Sequence, residues 1–336
     1  MTPTLTRRRF HGALLAAAAS PAARAAPATA PLRIGLIASY SGPYADYGRQ
    51  FDAGMAVLLA QQGERLAGRR VEIVRRDTAG PNPQLARRFA QELVTRERVA
   101  VLAGFDFSPN AYAAAPVATQ AGVPMLVMNA AASGLTAASP FALRFSFTVP
   151  QVSAPMATWM LRQGLREAFV LVADYAPGLD AESAFTRAFT AGGGRVAGTV
   201  RVPLATLDFA PYLQRIAEAK PPAVFFFLPS GTLPQALLKG WQERGLARSG
   251  IRLLATGEAT DDSYLDATGD AALGLVTSHH YSFAHGSARN RRFVADFAAH
   301  YGNRLRPGYF AVAAYDALAA LGLALGRTGG ATAASA

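Results

Sequence analysis

From Leu32 onward, short apolar runs alternate with longer stretches whose apolar side chains recur every third or fourth position. The runs at 33–39, 71–75, 99–104, 125–128, 169–173, 196–202, 223–228, 251–255 and 275–278 have the length and composition of strands. Between most of them lie helical stretches at 49–62, 83–97, 111–120, 151–163, 180–191, 209–219, 233–244, 288–301 and 310–325. Runs such as VFFFL at 224–228 are apolar on both faces, as parallel strands are when helices cover each side of the sheet. The alternation predicts an α/β, doubly wound architecture. Punctuation agrees with it: Asn82-Pro83 is an N-cap followed by an N1 proline, and Gly192-Gly193-Gly194 is a helix stop.

Two series of this alternation follow one another. The first covers about 32–147 and closes in SPFALRFSFTVP (139–150); the second opens with the helix at 151–163 and runs to about Tyr281. Two helices then arrive with no clear strand between them. No Gly/Ser-rich linker separates the series, so short hinge connections are expected.

Residues 1–26 read as an export signal and are set aside from the fold. Thr6-Arg7-Arg8-Arg9-Phe10 carries a twin-arginine pattern, an Ala/Leu-rich run follows from Gly12 to Ser20, and Ala23-Arg24-Ala25 offers a small-x-small cleavage step. The twin-arginine and the general secretory routes both remain open, and both lead to the periplasm. With no cysteine in the chain there is no lipoprotein anchor, disulfide, thiolate metal site or cysteine nucleophile.

Cleavage after Ala25 leaves 311 residues, enough for two domains of ordinary size. Removing the leader's four arginines leaves 29 basic against 22 acidic groups, a balance of +7. The basic residues are scattered pairs, such as Arg75-Arg76 and Arg291-Arg292, not a tract interleaved with aromatics. Nucleic-acid binding is therefore not expected. The apolar stretch from Tyr309 to Gly326 carries Asp316 in its middle, which favours a buried Ala/Leu helix over a membrane span.

Enzymatic signatures are missing. There is no G-x-x-x-x-G-K-[ST], no G-x-G-x-x-G after the first strand and no G-x-S-x-G. His279-His280 with His285 lacks a completing acid or cysteine, and adjacent strand residues point to opposite faces, so a core or cleft-lining pair is expected and no metal. What remains is a set of small polar and aromatic groups at strand ends: Tyr47 behind the first strand, Phe105, Phe107 and Ser108 in AGFDFSPNA, Ala130 to Ser133 in NAAASG, Asp174-Tyr175, Ser230-Gly231 and Glu258. Each alone suits a turn or a cap. Together they mark one sheet edge in both series, where open α/β sheets bind ligands and free helical N–H groups suit a carboxylate.

The chain resembles the periplasmic branched-chain amino acid (Leu/Ile/Val)-binding proteins of ABC transporters, which have the type I periplasmic binding fold. The likeness runs from Ile34 to about Gly330. It is carried by the order of IGLIASYSGPYADYG, AGFDFSP, PMLVMNAAAS, SPFALRFSFT, LVADYAPGLD, DFAPYLQRIAEAKPPAVFF, GDAALGLVTSHHYS and YFAVAAYDAL. It implies two lobes joined by three hinge crossings: 31–148 plus 282–326 as lobe 1, 149–281 as lobe 2, and a flexible tail at 327–336. The lobes close on a small solute, which then passes to a membrane permease. Ser108, the Ala130/Ala131 backbone and Ser133 would hold a ligand carboxylate. Phe107, Tyr47, Tyr175 and Ser230 would border the ligand, and Glu258 would receive an α-ammonium. An acid lacking the ammonium would leave Glu258 unpaired, which favours an amino acid or amide; related sequences also bind aromatic and other organic acids. A monomer without cofactor is expected, as periplasmic carrier or, alternatively, as ligand-sensing subunit of a signalling receptor. Relatives usually continue for several tens of residues past GRTGGATAASA, so weaker closure or lower stability is expected.

Overall fold

The computed structural model describes residues 30–206, 208–302 and 305–330; the expected leader at 1–26 and the end of the tail lie outside them. The first series builds β1 (Leu32–Ala38), α1 (Ala45–Gln61), β2 (Arg65–Leu66), β3 (Arg69–Asp77), α2 (Pro83–Thr95), β4 (Val101–Gly104), α3 (Ser108–Ala121), β5 (Met125–Val127) and β6 (Ala142–Arg144). The second builds α4 (Val149–Arg162), β7 (Glu167–Ala173), α5 (Ala176–Ala191), β8 (Arg195–Val202), α6 (Ala210–Ala219), β9 (Ala223–Phe227), α7 (Thr232–Glu243), β10 (Arg252–Thr256), α8 (Leu265–Thr268) and β11 (Val276–Ser278). The long helices α9 (Ala288–Tyr301) and α10 (Tyr309–Arg327) close the described chain.

The strands form two sheets, ordered β2-β3-β1-β4-β5-β6 and β11-β10-β9-β7-β8. All pairings are parallel except the β2–β3 hairpin. Setting β2 aside, both sheets share one doubly wound order, with the first strand of each series second from one end. That order fixes where a ligand can sit. Helices leave opposite faces on either side of β1/β4 and of β7/β9, so a crevice opens at the carboxyl ends of those strands.

Burial follows the predicted pattern. β4 and β9 are buried along their whole length, whereas β3 alternates because it lies near an edge. Asn82 caps α2 by accepting from the Leu85 N–H at 3.1 Å, and Gln151 Oε1 closes the start of α4 by accepting from the Thr148 N–H at 2.7 Å. Helices α9 and α10 pack on α1, while α4 packs on α5, β10 and β11. The α1–α10 crossing is close because Gly54 has no side chain; a Cβ there would come within 1.9 Å of the Ala311 carbonyl oxygen. Among the described residues the chain passes between the two sheets twice, after β6 and after β11. β2 and β6 are additions to the nine expected strands; with two and three residues, neither carries a hydrophobic run long enough to stand out.

Candidate ligand-binding site

The site starts from a forced turn at the end of β4. Gly104 and Phe105 both have positive φ, +100° and +63°, and Phe105 is fully buried. A non-glycine residue in that region is strained by about 1 kcal/mol or more and persists only where its surroundings hold it. Here they do: the Phe105 N–H donates to Ile37 O and its carbonyl accepts from the Ala130 N–H, each at 2.8 Å. Asp106 ties the next joint. Its carboxylate accepts from the Ser39 N–H at 2.7 Å and the Phe107 N–H at 3.0 Å, joining the ends of β1 and β4, and burial raises its pKa to about 6.

This turn delivers Ser108 to the first position of α3. The Ser108 Oγ accepts from the Ala132 N–H at 3.1 Å, and the hydroxyl keeps its own proton to donate. A first-turn N–H has no acceptor within its own helix. Among the described residues, the Ser108 and Ala131 N–H groups find no protein acceptor either. These donors, with the positive end of a 14-residue helix, give this edge of the cleft the chemistry that suits an anion.

The opposite edge belongs to the second sheet. Ser230, after β9, donates its hydroxyl to Glu258 O at 3.1 Å and lies 2.7 Å from the Tyr309 hydroxyl, which is therefore the donor of that shared bond. Tyr47 reaches across from α1 to donate to Ser230 O at 2.6 Å. Glu258 is 5 % exposed, its Oε2 has no hydrogen-bond partner among the described residues, and burial raises its carboxyl pKa to about 7. Burial also holds the Tyr47, Tyr175 and Tyr309 phenols well above their usual range, so all three stay protonated donors.

Between the two edges lies a narrow cleft. Six rings wall it: Tyr47, Phe107, Phe147, Tyr175, Phe227 and Tyr309. Tyr47 stacks on Phe107 with centroids 5.6 Å apart, and Tyr175 stacks on Phe227 at 6.2 Å. No lysine, arginine or histidine lines it. An anion held here is held by amide and hydroxyl dipoles, and its body by aromatic faces.

The fold thus brings Tyr47, Phe107, Ser108, Ala131, Tyr175, Ser230 and Glu258 to one cavity. Two expected residues fall outside it. The Ala130 N–H is taken by Phe105 O, and the Ser133 N–H and hydroxyl donate to Asp180 Oδ2 on α5, at 2.7 and 2.9 Å. Ser133 therefore bridges the two halves of the molecule and leaves the anion edge to Ser108 and Ala131. Asp106, Asn129, Phe147, Phe227 and Tyr309 line the cleft without having been anticipated.

The model of the periplasmic binding protein family matches residues 31–336. The chain belongs to that family. The Leu/Ile/Val-binding protein homolog 6 of Brucella melitensis is 42 % identical over 299 residues, which is 89 % of this chain and 77 % of that relative. A solute-binding protein of an ABC transporter from Rhodopseudomonas palustris BisB5, solved in complex with 3,4-dihydroxybenzoic acid, has a TM-score of 0.86 and 43 % identity, covering 90 % of this chain and 82 % of its own. Another R. palustris solute-binding protein, in complex with 4-hydroxybenzoate, has a TM-score of 0.87 and 38 % identity, covering 90 % and 83 %. The expected resemblance to Leu/Ile/Val-binding proteins and the two-lobed α/β fold are both borne out. The relatives are solute-binding proteins, not enzymes, and the family is periplasmic.

Proposed function

We propose that this periplasmic binding protein captures a hydroxylated aromatic carboxylate between its lobes and passes it to an ABC permease in the inner membrane. The observation that carries the reading is the make-up of the cleft: six rings, dipolar anion donors at one edge, and the polar cluster of Glu258, Ser230 and Tyr309 at the other. The cleft is narrow and its walls are mostly ring faces, which suits a flat solute that slots between them. The carboxylate sits at the start of α3, on Ser108 and the Ala131 N–H. The ring lies between Tyr47, Phe107, Tyr175 and Phe227. A ring hydroxyl meets Glu258 and the Ser230–Tyr309 pair. With its pKa raised to about 7, Glu258 pairs readily with a neutral hydroxyl, as donor or acceptor. Complexes of relatives with 3,4-dihydroxybenzoic acid and 4-hydroxybenzoate support this choice.

The unpartnered Glu258 Oε2 also favours a second reading, an amino acid whose ammonium holds that carboxyl ionised. Calorimetric titration separates the two. We expect 4-hydroxybenzoate to bind about tenfold tighter than benzoate, one hydrogen bond's worth of affinity, and leucine to bind more weakly than either. Tight leucine binding with no heat from either benzoate overturns the aromatic reading. In this proposal the lobes comprise 31–148 with 282–326 and 149–281, the protein acts as a monomer, and a leader cleaved near Ala25 directs it to the periplasm.

A further inference from the structure

A second cavity lies behind the ligand cleft, and one side chain, Tyr309, lines both. It is the wider of the two and opens to solvent on its outer side. Its lining includes Gly257, Asp261, Thr277, His279, His280 and Tyr281. The partition is aromatic. The His279 ring meets the Tyr309 ring edge-on at 4.4 Å and the Phe147 ring at 4.8 Å, while His280 stacks on Phe147 at 4.6 Å. Tyr309 is 3 % exposed and is tethered at its tip by the bond to Ser230.

The far side of this partition has unused polar capacity. Among the described residues, neither ring nitrogen of His279 has a hydrogen-bond partner, nor has Asp261 Oδ2, although all three atoms are hidden from water. Buried polar atoms left without partners are costly, so a group that reached them would gain more than at an exposed surface. His279 is neutral there, because burial and the adjoining His280 hold its pKa well below the usual range. A neutral imidazole can accept from a hydroxyl or donate to one.

Resting on the aromatic-acid reading above, we infer that the Tyr309 ring sets the length of the ligand, closing the cleft after one ring and shutting off a chamber able to take a second ring bearing a terminal hydroxyl. The limit comes from the bulk of the ring, not from its hydroxyl. Removing the ring joins the two cavities along the line from the α3 edge past Glu258 toward His279.

The test is calorimetric titration of wild type, Tyr309→Ala and Tyr309→Phe with 4-hydroxybenzoate and with 4′-hydroxybiphenyl-4-carboxylate. Wild type is expected to bind the one-ring acid and reject the biphenyl acid. Tyr309→Ala should gain affinity for the biphenyl acid by roughly tenfold or more, the scale on which pocket size discriminates. Tyr309→Phe should keep rejecting it while binding 4-hydroxybenzoate somewhat more weakly. If Tyr309→Ala fails to fold, Tyr309→Leu removes the ring with a smaller loss of packing and should show a gain in the same direction. Wild type binding the biphenyl acid as tightly as 4-hydroxybenzoate overturns the inference. So does a Tyr309→Phe that gains as much as Tyr309→Ala, or an absence of gain in variants that still bind 4-hydroxybenzoate. Wild type that binds neither acid removes the aromatic reading itself, and the length limit with it.

Discussion

Glu258 is the residue whose chemistry depends most on the fold. Its carboxyl titrates near 7 in the folded chain against an ordinary value of 4.5, with burial as the largest cause. Below about pH 4.5 the group is protonated both folded and unfolded, so it costs nothing. As pH rises toward 7 the unfolded chain gives up the proton first, and the folded state is progressively disfavoured. Above 7 the cost is complete, at most about 3 kcal/mol. Glu258→Gln removes that dependence. Urea unfolding of the protein saturated with 4-hydroxybenzoate, which holds the closed form, should therefore show Glu258→Gln gaining on wild type between pH 4.5 and pH 8, whatever fixed offset the amide brings. A difference that stays flat across this range would mean the buried carboxyl titrates normally. At the anion edge, Ser108→Ala removes a ligand donor and the acceptor of the Ala132 N–H. Affinity for 4-hydroxybenzoate should fall about tenfold by titration; unchanged affinity would place the carboxylate elsewhere.

Helices and loops decide what each residue is free to do, and here sequence reading had uneven reach. The alternation of buried strands and amphipathic helices was legible because apolar periodicity is local. Strand ends were legible too, since Ser108, Tyr175, Ser230 and Glu258 each lie within four positions of the end of an apolar run. Ser133 was misplaced because its acceptor, Asp180, lies 47 residues away on α5. Tyr309 was missed because it opens an Ala/Leu-rich helix and reads as core; only packing of α10 on α1 brings its hydroxyl to Ser230. The α1–α10 crossing gives an element-scale test in two glycines of opposite sense. At Gly54 a Cβ would collide with the Ala311 carbonyl oxygen, so Gly54→Ala should destabilise by about 1–3 kcal/mol despite alanine's better helix propensity. At Gly326, also helical, a Cβ meets nothing within 4 Å, and Gly326→Ala should stabilise by up to about 1 kcal/mol. Urea midpoints moving the same way for both would contradict the close crossing.

At the scale of the whole molecule, few polar contacts join the two halves. Tyr47 donates to Ser230 O and Tyr309 to the Ser230 hydroxyl, Ser133 donates twice to Asp180, and Arg306 pairs with Asp266. This closed arrangement surrounds Glu258 Oε2 and six rings with protein, a poor environment for a cleft without solute. A ligand that fills the cleft binds the closed form better than the open one and shifts the population toward it. The Ser133–Asp180 bonds lie on the surface, so they contribute little to folding and act mainly on the lifetime of the closed state. Asp180→Ala should accordingly speed 4-hydroxybenzoate release about fivefold, equivalent to about 1 kcal/mol, with little change in thermal midpoint. Stopped-flow displacement reads the release rate, and small-angle scattering reads the shape. Wild type should contract on saturation with 4-hydroxybenzoate, and Asp180→Ala should contract to the same radius of gyration, because the closed form itself is unchanged. Release from Asp180→Ala at the wild-type rate would show that these bonds do not hold the lobes together, and the restraint would then rest on the Tyr47 and Tyr309 bonds to Ser230, the Arg306–Asp266 pair and the ligand.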